Sequence, residues 1–197
     1  MESIYGERLP EMQCVLEDLR AQVEALRAQM REDTGLDPVE HCLTRIKSET
    51  SMREKCRREG LPETTHSALA VIHDAIGLRV VCAFLNDVYA IAERLRTLPG
   101  YTVVNEKDYI RAAKPNGYRS YHMILQSKNG LFAEIQLRTI SMDTWAALEH
   151  HLKYKKSVDG NTALLVAELK RCAEELASTD VSMQTLKDMI FDGRNTQ

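Results

Sequence analysis

Residues 114–138 read KPNGYRSYHMILQSKNGLFAEIQLR, and this stretch combines two turns with two runs of strand-forming residues. Lys114-Pro115-Asn116-Gly117 is a turn signal, because proline fixes φ and Asn-Gly tolerates a positive φ. Residues 118–126 are rich in strand formers, and Asn129-Gly130 is a strong signal for a tight hairpin. Residues 131–137 form the return strand. The stretch therefore predicts a turn followed by a β-hairpin.

One face of the return strand is polar. Because side chains alternate along a strand, one face holds Phe132, Glu134, Gln136 and Arg138. A solvated outer face is one interpretation of this pattern, and a polar functional site is the other. The rest of the chain bears on the choice.

The remaining elements follow from the spacing of apolar residues. This spacing predicts helices over 8–32, 63–73, 86–98, 142–155, 162–177 and 181–191, and a short helix after Pro38. It predicts strands over 76–84 and 101–105, the second with a bulged continuation through 108–110. Residues 157–161 are predicted to form a loop and residues 193–197 a frayed tail. Residues 76–84, IGLRVVCAF, indicate a buried central strand. We therefore predict an α/β (α+β) fold in which a mixed sheet of about five strands is flanked by helices.

The composition is that of an ordinary soluble globular protein. The 197 residues suffice for one domain, and the net charge of −3 gives no bulk attraction to nucleic acid or to a membrane. No apolar run approaches the roughly 18 residues that span a bilayer, and the N-terminus lacks a secretory pattern. Five cysteines without a C-x-x-C pair predict reduced thiols in the cytoplasm.

Residues 45–58, RIKSETSMREKCRR, form a basic cluster in an acidic chain. Six of the fourteen are Arg or Lys. Ser48 or Ser51 can cap a helix that runs to Arg58, and Gly60-Leu61-Pro62 ends it. A helix N-terminus with hydroxyls and several cations favours phosphate binding, and a solvated basic face is the alternative.

Two acids and one arginine stand out in the strands. Asp74 precedes the buried strand, Arg79 lies inside it, and Glu134 lies in the return strand. An arginine in an apolar run is costly unless it is paired or used. If the two strands are neighbours, the acids can share a Mg²⁺ ion, or one of them can accept a proton from a hydroxyl. Tyr118 offers a flat face for stacking a base.

Four motifs, in this order and spacing, resemble one known family. They are RIKSETSMREK at 45–55, DAIGLRV at 74–80, KPNGYRSYH at 114–122 and EIQLRTISMDTWAALEH at 134–150. Together they resemble the synthetase domain of the RelA/SpoT family over residues 40–156. The short chain is similar to the small alarmone synthetases, so we expect residues 1–197 to form a single synthetase domain.

The resemblance implies a reaction and a set of site residues. It implies pyrophosphate transfer from ATP to the ribose 3′-hydroxyl of GTP or GDP, giving pppGpp or ppGpp and AMP, on a nucleotidyltransferase-like fold with Mg²⁺. Asp74 matches the metal ligand, and Glu134 matches the second acid, which holds the metal or activates the hydroxyl. The matching ATP-binding residues are Arg45, Lys47, Ser51, Lys55, Arg58 and Arg79. The matching GTP-binding residues are Lys114, Asn116, Tyr118, His122, Gln136 and Glu149.

Several alternatives stay open at this point. The same donor chemistry can act on an adenine nucleotide or on tRNA, as in related toxins. There are two non-enzymatic alternatives: a catalytically inactive nucleotide sensor, and an RNA-binding module that uses the basic helix. The negative net charge of the chain disfavours binding to nucleic acid. The amphipathic first helix and the methionine-rich last helix favour a homo-oligomer. A homotetramer fits the resemblance, as does an alarmone as an allosteric ligand.

Overall fold

The computed structural model of the protein describes residues 3–154 and 162–191. The helices are α1 Leu9–Thr34, α2 Glu49–Arg58, α3 Leu85–Leu95, α4 Ile140–Tyr154 and α5 Thr162–Phe191. The strands are β1 Val39–Ile46, β2 Ile76–Cys82, β3 Tyr101–Asp108, β4 Tyr121–Ser127 and β5 Phe132–Thr139. The loop predicted at 157–161 and the frayed tail predicted at 193–197 lie outside the described residues.

The five strands form one mixed sheet, which confirms the predicted fold class. Their order is β1-β2-β5-β4-β3, with β2 and β5 parallel and the other pairs antiparallel. The predicted hairpin is present as β4 and β5. Strand β3 does continue beyond residue 105, but it ends at Asp108, and its register irregularity lies between Val103 and Asn105, earlier than the bulge predicted before residues 108–110. The strand after Asp74 and the strand that carries Glu134 are therefore neighbours, as the pairing of the two acids requires.

The two faces of the sheet differ in chemistry. On one face, side chains such as Ile76, Leu78, Met123 and Ile135 are buried, and α1 and α3 pack against the sheet. Burying this apolar face is the main stabilising contribution to the fold. The opposite face carries the polar residues of β1, β2, β4 and β5. That face positions the candidate site.

The apolar face of helix α1 packs against the sheet of its own chain. Its buried residues are Met12, Val15, Leu19, Val23 and Met30, at helical spacing. Helix α2 is capped as predicted, because the Ser48 side chain accepts a hydrogen bond from the Ser51 amide at 3.3 Å. Helix α2 also ends at Arg58, the residue predicted from Gly60 and Pro62.

The turn before the hairpin packs tightly against α5. Gly117 has a φ of +91°, and a Cβ there would lie 2.7 Å from the Cβ of Ala173. Only glycine meets both the backbone requirement and the close approach. Trp145 is buried in α4 and donates from Nε1 to the carbonyl of Leu169. The turn is thus held between α4, α5 and the sheet.

Two predicted helices were wrong in type or extent. The segment after Pro38 is strand β1, because Asp37 accepts from the Val39 amide and pairs with Arg27, while the backbone of 39–46 pairs with β2. The predicted helix over 63–73 narrows to a helical turn at 65–71 that closes as a π-helix, Ser67–Val71. Ile72 leaves that turn in an extended conformation, directed into β2.

The break predicted at residues 178–180 is absent, and α5 is one helix. The hydroxyls of Thr179 and Ser182 bond back to the carbonyls of Glu175 and Ser178, so they do not compete with the helical backbone bonds. Asp180 is buried and accepts a hydrogen bond from Thr139 Oγ1 at 2.6 Å. Of the polar residues that suggested a break, Asp180 instead attaches α5 to the end of β5.

Asp180 gives a stability prediction. Burial raises the pKa of its carboxyl, although hydrogen bonds from Thr139 and Ser141 oppose that shift. An acid whose pKa is raised by folding destabilises the folded state once pH exceeds that pKa. We expect Asp180→Asn, which keeps an acceptor for Thr139, to raise the melting temperature at pH 7 by about 2–4 °C, the equivalent of about 1 kcal/mol. The gain should vanish in acid, where the wild-type carboxyl is protonated; an equal gain at pH 7 and pH 3.5 in thermal melts would contradict this origin.

The structure also bears on the predicted reduced thiols and on the predicted lack of a membrane span. All five cysteines are free thiols. Among the described residues, no helix combines the length and the apolar character needed to cross a bilayer.

Candidate active site

The polar face of the sheet carries two clefts that meet at Glu134. The first, here called the arginine cleft, has a volume of about 330 Å³ and includes Arg45, Gly77, Arg79, Glu134 and Gln136 in its lining. The second, here called the lysine cleft, has a similar volume of about 330 Å³. Its charged and polar lining residues include Lys55, Asp74, Lys107, Tyr109, Lys114, His122 and Glu134. Glu134 lines both clefts, so a group held in either one can reach the same carboxylate.

The arginine cleft is built by strand register. Arg45 of β1 lies opposite Gly77 of β2, and Gly77 lies opposite Glu134 of β5. Because Gly77 has no side chain, space remains between the arginines of the two strands; a Cβ there would lie 3.5 Å from Arg45 Cγ and Nε. Burial lowers the pKa of Arg79, and the nearby charge of Arg138 adds to that shift. The cleft therefore offers two planar cations around an open floor.

Two lysines hold Asp74 in the lysine cleft. The Nζ atoms of Lys47 and Lys55 donate to Oδ2 of Asp74 at 2.6 and 2.9 Å. Burial alone would raise the pKa of Asp74, but these hydrogen bonds and charges outweigh it and lower the pKa below its usual value. The other oxygen, Oδ1, is buried and accepts no hydrogen bond from any described residue. Asp74 is thus an ionised carboxylate with one unused oxygen.

Glu134 is the second ionised carboxylate of this cleft. Its Oε1 lies 3.0 Å from His122 Nδ1, and its Oε2 accepts from Gln136 Nε2 at 2.8 Å. Burial opposes ionisation, but the contacts with His122 and Gln136 bring the pKa of Glu134 down to about 2. The charge of Lys55 acts on both acids. Glu134 on β5 and Asp74, just before β2, therefore form one electrostatic unit with Lys55.

Tyr118 lies at the edge of this unit. Its hydroxyl is 2.8 Å from His122 Nε2 and accepts from Arg138 Nη2 at 2.8 Å. The ammonium of Lys114 lies 4.9 Å from the ring centroid, and the Arg138 guanidinium lies 5.2 Å from it. The negative π-face of the Tyr118 ring attracts these cations, and a flat face of this kind also suits stacking of a nucleobase.

The structure brings most of the predicted site residues together. Arg45, Arg79 and Gln136 line the arginine cleft, and Lys55, Asp74, Lys114 and His122 line the lysine cleft, with Glu134 in both. Lys47 joins them through Asp74, and Tyr118 joins them through His122.

Four predicted residues lie farther out. Ser51 and Arg58 are exposed on α2, and neither belongs to the lining of the two clefts. Asn116 donates from Nδ2 to Glu149 Oε1 at 3.1 Å, and its own Oδ1 accepts from the Tyr118 amide. Asn116 and Glu149 therefore border the tyrosine rather than the clefts.

Sequence reasoning did not assign a role to Arg138 or to Asp143. Arg138 is only 4% exposed, and Asp143 lies in the first turn of α4. The signal for Arg138 was its alternation with Glu134 and Gln136 on one strand face. Asp143 carried no signal, because it lies nine residues beyond Glu134 and reaches the site only through the path of α4.

The sequence and the fold are both similar to those of known proteins. Residues 44–159 match the family described as the region found in RelA / SpoT proteins. The chain is 40% identical over 163 residues to the GTP pyrophosphokinase YwaC of Bacillus subtilis (strain 168), covering 79% of this chain and 77% of that protein. Its fold is similar to the crystal structure of small alarmone synthetase 1 from Bacillus subtilis bound to its product pppGpp, with a TM-score of 0.80, 30% identity and coverage of 93% and 95% of the two chains. The same synthetase bound to AMPCPP gives a TM-score of 0.73 at 28% identity, with coverage of 93% and 95%.

Proposed function

The chain belongs to the RelA/SpoT family, and from this we propose that it is a GTP pyrophosphokinase of the small alarmone synthetase type. It transfers pyrophosphate from ATP to the ribose 3′-hydroxyl of GTP or GDP and makes pppGpp or ppGpp, the alarmones of the stringent response, together with AMP. The observation that carries the proposal is the junction at Glu134, where a cleft with two arginines meets a cleft that is lined by three lysines and by Asp74.

The donor binds in the arginine cleft and along α2. Arg45 and Arg79 stack on adenine, a use to which planar guanidinium groups are suited. Lys47 and Lys55 take the phosphates, which draws both lysines away from Asp74. Ser51 and Arg58 also act on the phosphates, because both are exposed on α2, the helix that carries Lys55.

The carboxylates of Asp74 and Glu134 suit Mg²⁺ as the cofactor. The unused, buried Oδ1 of Asp74 is an oxygen that a hard cation would satisfy, and Glu134 is ionised in the same cleft. Residues 3–154 and 162–191 contain no cluster of three or more His, Cys, Asp or Glu side chains that could hold a metal. A protein contribution of one or two carboxylates suits Mg²⁺, which takes its other ligands from phosphates and water. When bound, Mg²⁺ supplies positive charge to the donor's phosphates.

The acceptor binds beside Tyr118. Its guanine stacks on that ring after the Lys114 ammonium moves from the ring to the acceptor's phosphates. Asn116 and Glu149, which already bond each other, border the base. His122 and Gln136 lie between the tyrosine and Glu134 and hold the ribose end of the acceptor.

In the transfer, the 3′-oxygen of the acceptor forms a bond to the β phosphorus of ATP. The bond from that phosphorus to the oxygen shared with the α phosphorus breaks, and AMP leaves with that oxygen. The hydroxyl proton passes to Glu134 or to water. With a pKa of about 2, Glu134 is a weak proton acceptor, so its main action is to accept a hydrogen bond from the hydroxyl and orient it. Catalysis by positioning and charge is typical of phosphoryl-type transfer.

Chromatographic identification of the products tests the proposal. The protein is incubated with ATP and Mg²⁺ plus GTP, GDP, a second adenine nucleotide or tRNA in separate reactions. We expect AMP and the guanosine 3′-pyrophosphate in equal amounts with GTP or GDP. Product on the adenine nucleotide or tRNA alone would assign the toxin-like reaction, and no AMP release with any acceptor would favour a nucleotide sensor.

We also propose that the protein works as a homo-oligomer, with four chains as the fitting state, in the cytoplasm. The support for assembly is the row of exposed apolar residues on α4 and α5, which includes Leu148, Leu152, Met183, Met189 and Ile190. Light scattering at micromolar protein checks the assembly, because a mass equal to one chain would contradict it. The free thiols and the nucleotide substrates support the cytoplasm. An alarmone as an allosteric ligand stays a prediction.

A further inference from the structure

A single carboxylate oxygen is shared by two arginines from different strands. Asp143 Oδ1 lies 3.3 Å from Arg79 Nη1 on β2 and 3.0 Å from Arg138 Nη1 on β5. Arg79 lines the arginine cleft, whereas Arg138 does not. A displacement of Arg79 by a ligand therefore changes the environment of Arg138 through one atom.

Arg138 extends this connection to the acceptor side. Its Nη2 donates to the Tyr118 hydroxyl at 2.8 Å and to Gln136 Oε1 at 3.0 Å. Gln136 in turn donates to Glu134. The rigid fork of the guanidinium thus fixes three acceptors at once: Asp143, Tyr118 and Gln136.

Burying the charged cluster of Arg79, Arg138 and Asp143 costs desolvation free energy, so the cluster adds little to the stability of the fold. Arg138 is 4% exposed, and its Nε is buried without a hydrogen bond among the described residues, as is the Nε of Arg79. Two cations share one anion, and the charge of Arg138 contributes to lowering the pKa of Arg79. Apolar residues of similar size would stabilise such a position at least as well. The arrangement is better explained by what it connects than by stability.

We propose that Arg138 and Asp143 are positioning residues that couple the arginine cleft to Tyr118, so that a nucleotide bound at either site raises the affinity for the other. The inference rests on the proposed function, because it needs a donor in the arginine cleft and an acceptor at Tyr118. Adenine stacked on Arg79 holds that guanidinium, which holds Asp143, which holds Arg138 and the Tyr118 ring. The second nucleotide then meets a ring that is already ordered, and its binding costs less conformational entropy.

Binding measurements without turnover test this coupling. The donor probe is AMPCPP with Mg²⁺, whose methylene bridge between the α and β phosphorus atoms blocks transfer, and the acceptor probe is GDP. The Kd of each probe is measured by calorimetry with and without saturating amounts of the other. Because coupling is reciprocal, both ratios must give the same factor, and we expect roughly 10-fold for the wild type.

Two variants and one matched control are compared. Arg138→Lys keeps the charge but loses the fork, and Asp143→Asn keeps the shape but loses the charge. The control is Arg96→Lys, since Arg96 makes a similar cluster in which its Nη2 lies 2.8 Å from both Glu106 Oε2 and the Tyr121 hydroxyl, outside the lining of both clefts. We expect the factor to fall below about 3-fold in both cluster variants and to stay near the wild-type value in the control. A merely structural role would lower the melting temperature and leave the factor unchanged.

The outcomes separate this inference from the proposed function. If both probes bind the wild type without coupling, or if both cluster variants keep the full factor, the positioning role is overturned and the proposed function stands. If AMPCPP or GDP fails to bind the wild type even in the presence of the other probe, both are overturned. Loss of the factor in Asp143→Asn alone would still support the inference where Arg138→Lys fails to fold.

Discussion

Asp74→Asn should lower the rate of AMP release at saturating ATP and GTP by about 10³-fold or more, equivalent to several kcal/mol of barrier. The amide keeps the shape of the side chain but removes the charge that would hold Mg²⁺ at Oδ1. It also leaves Lys47 and Lys55 without the anion that they share in the free protein. Steady-state kinetics with product chromatography measures the effect.

The control for this variant is an aspartate in a salt bridge that is remote from the site. Asp33→Asn removes the partner of Arg94, which it meets at 3.1 Å on the surface. We expect its rate to stay within about 2-fold of the wild type, as exposed ion pairs contribute little. A rate for Asp74→Asn within the same range, in a protein with an unchanged melting temperature, would show that Asp74 is not needed for the reaction.

Glu134→Gln should have the second large effect, a loss of about 10²–10⁴-fold in kcat. The amide cannot accept the hydroxyl's hydrogen bond with a full negative charge, and it cannot receive a proton. The Kd of AMPCPP should change much less, because the donor is held mainly by Arg45, Arg79 and the lysines. A variant with normal kcat and a raised KM for ATP would instead place Glu134 in donor binding alone.

The low pKa of Glu134 also predicts a pH signature of stability. The carboxyl titrates near its usual 4.5 in the unfolded chain and at about 2 in the folded protein. Its ionised form therefore stabilises the fold above pH 4.5, by on the order of 3 kcal/mol, and this contribution is lost as pH falls from 4.5 toward 2. The difference in unfolding free energy between the wild type and Glu134→Gln should shrink over that interval. A difference that stays constant in urea titrations across it would contradict the assignment.

The central hairpin and the buried strand were predictable because their signals are local. Asn129-Gly130 sets a short turn, and alternation along 131–138 decides which side chains share a face. Strand β1 was not predictable in the same way. Asp37-Pro38 suits a helix start as well as an Asx turn, and the choice is made by hydrogen bonds to β2, which is distant in sequence. The unbroken α5 was missed for a related reason, since Asp180 is held by Thr139 from another element.

The candidate site also contains residues with a local sequence signal and residues without one. Arg79 was predicted because a charge in an apolar strand needs a use, Asp74 because it directly precedes that strand, and Glu134 because it lies on the polar face of the return strand. Their meeting around the two clefts depends on β2 and β5 being neighbours, and the sheet pairs these two strands. Asp143 could not be found from sequence, because its role comes from a helix that brings it back over two strands.

We propose that Asp74 and Glu134 act together on one metal-bound donor at the junction of the two clefts. Anomalous diffraction from crystals grown with Mn²⁺ and AMPCPP would locate the metal. We expect an anomalous peak at about 2.1 Å from Asp74 Oδ1, in contact with the donor's phosphates and beside Glu134. A peak bound to the phosphates but away from both carboxylates would rule this arrangement out.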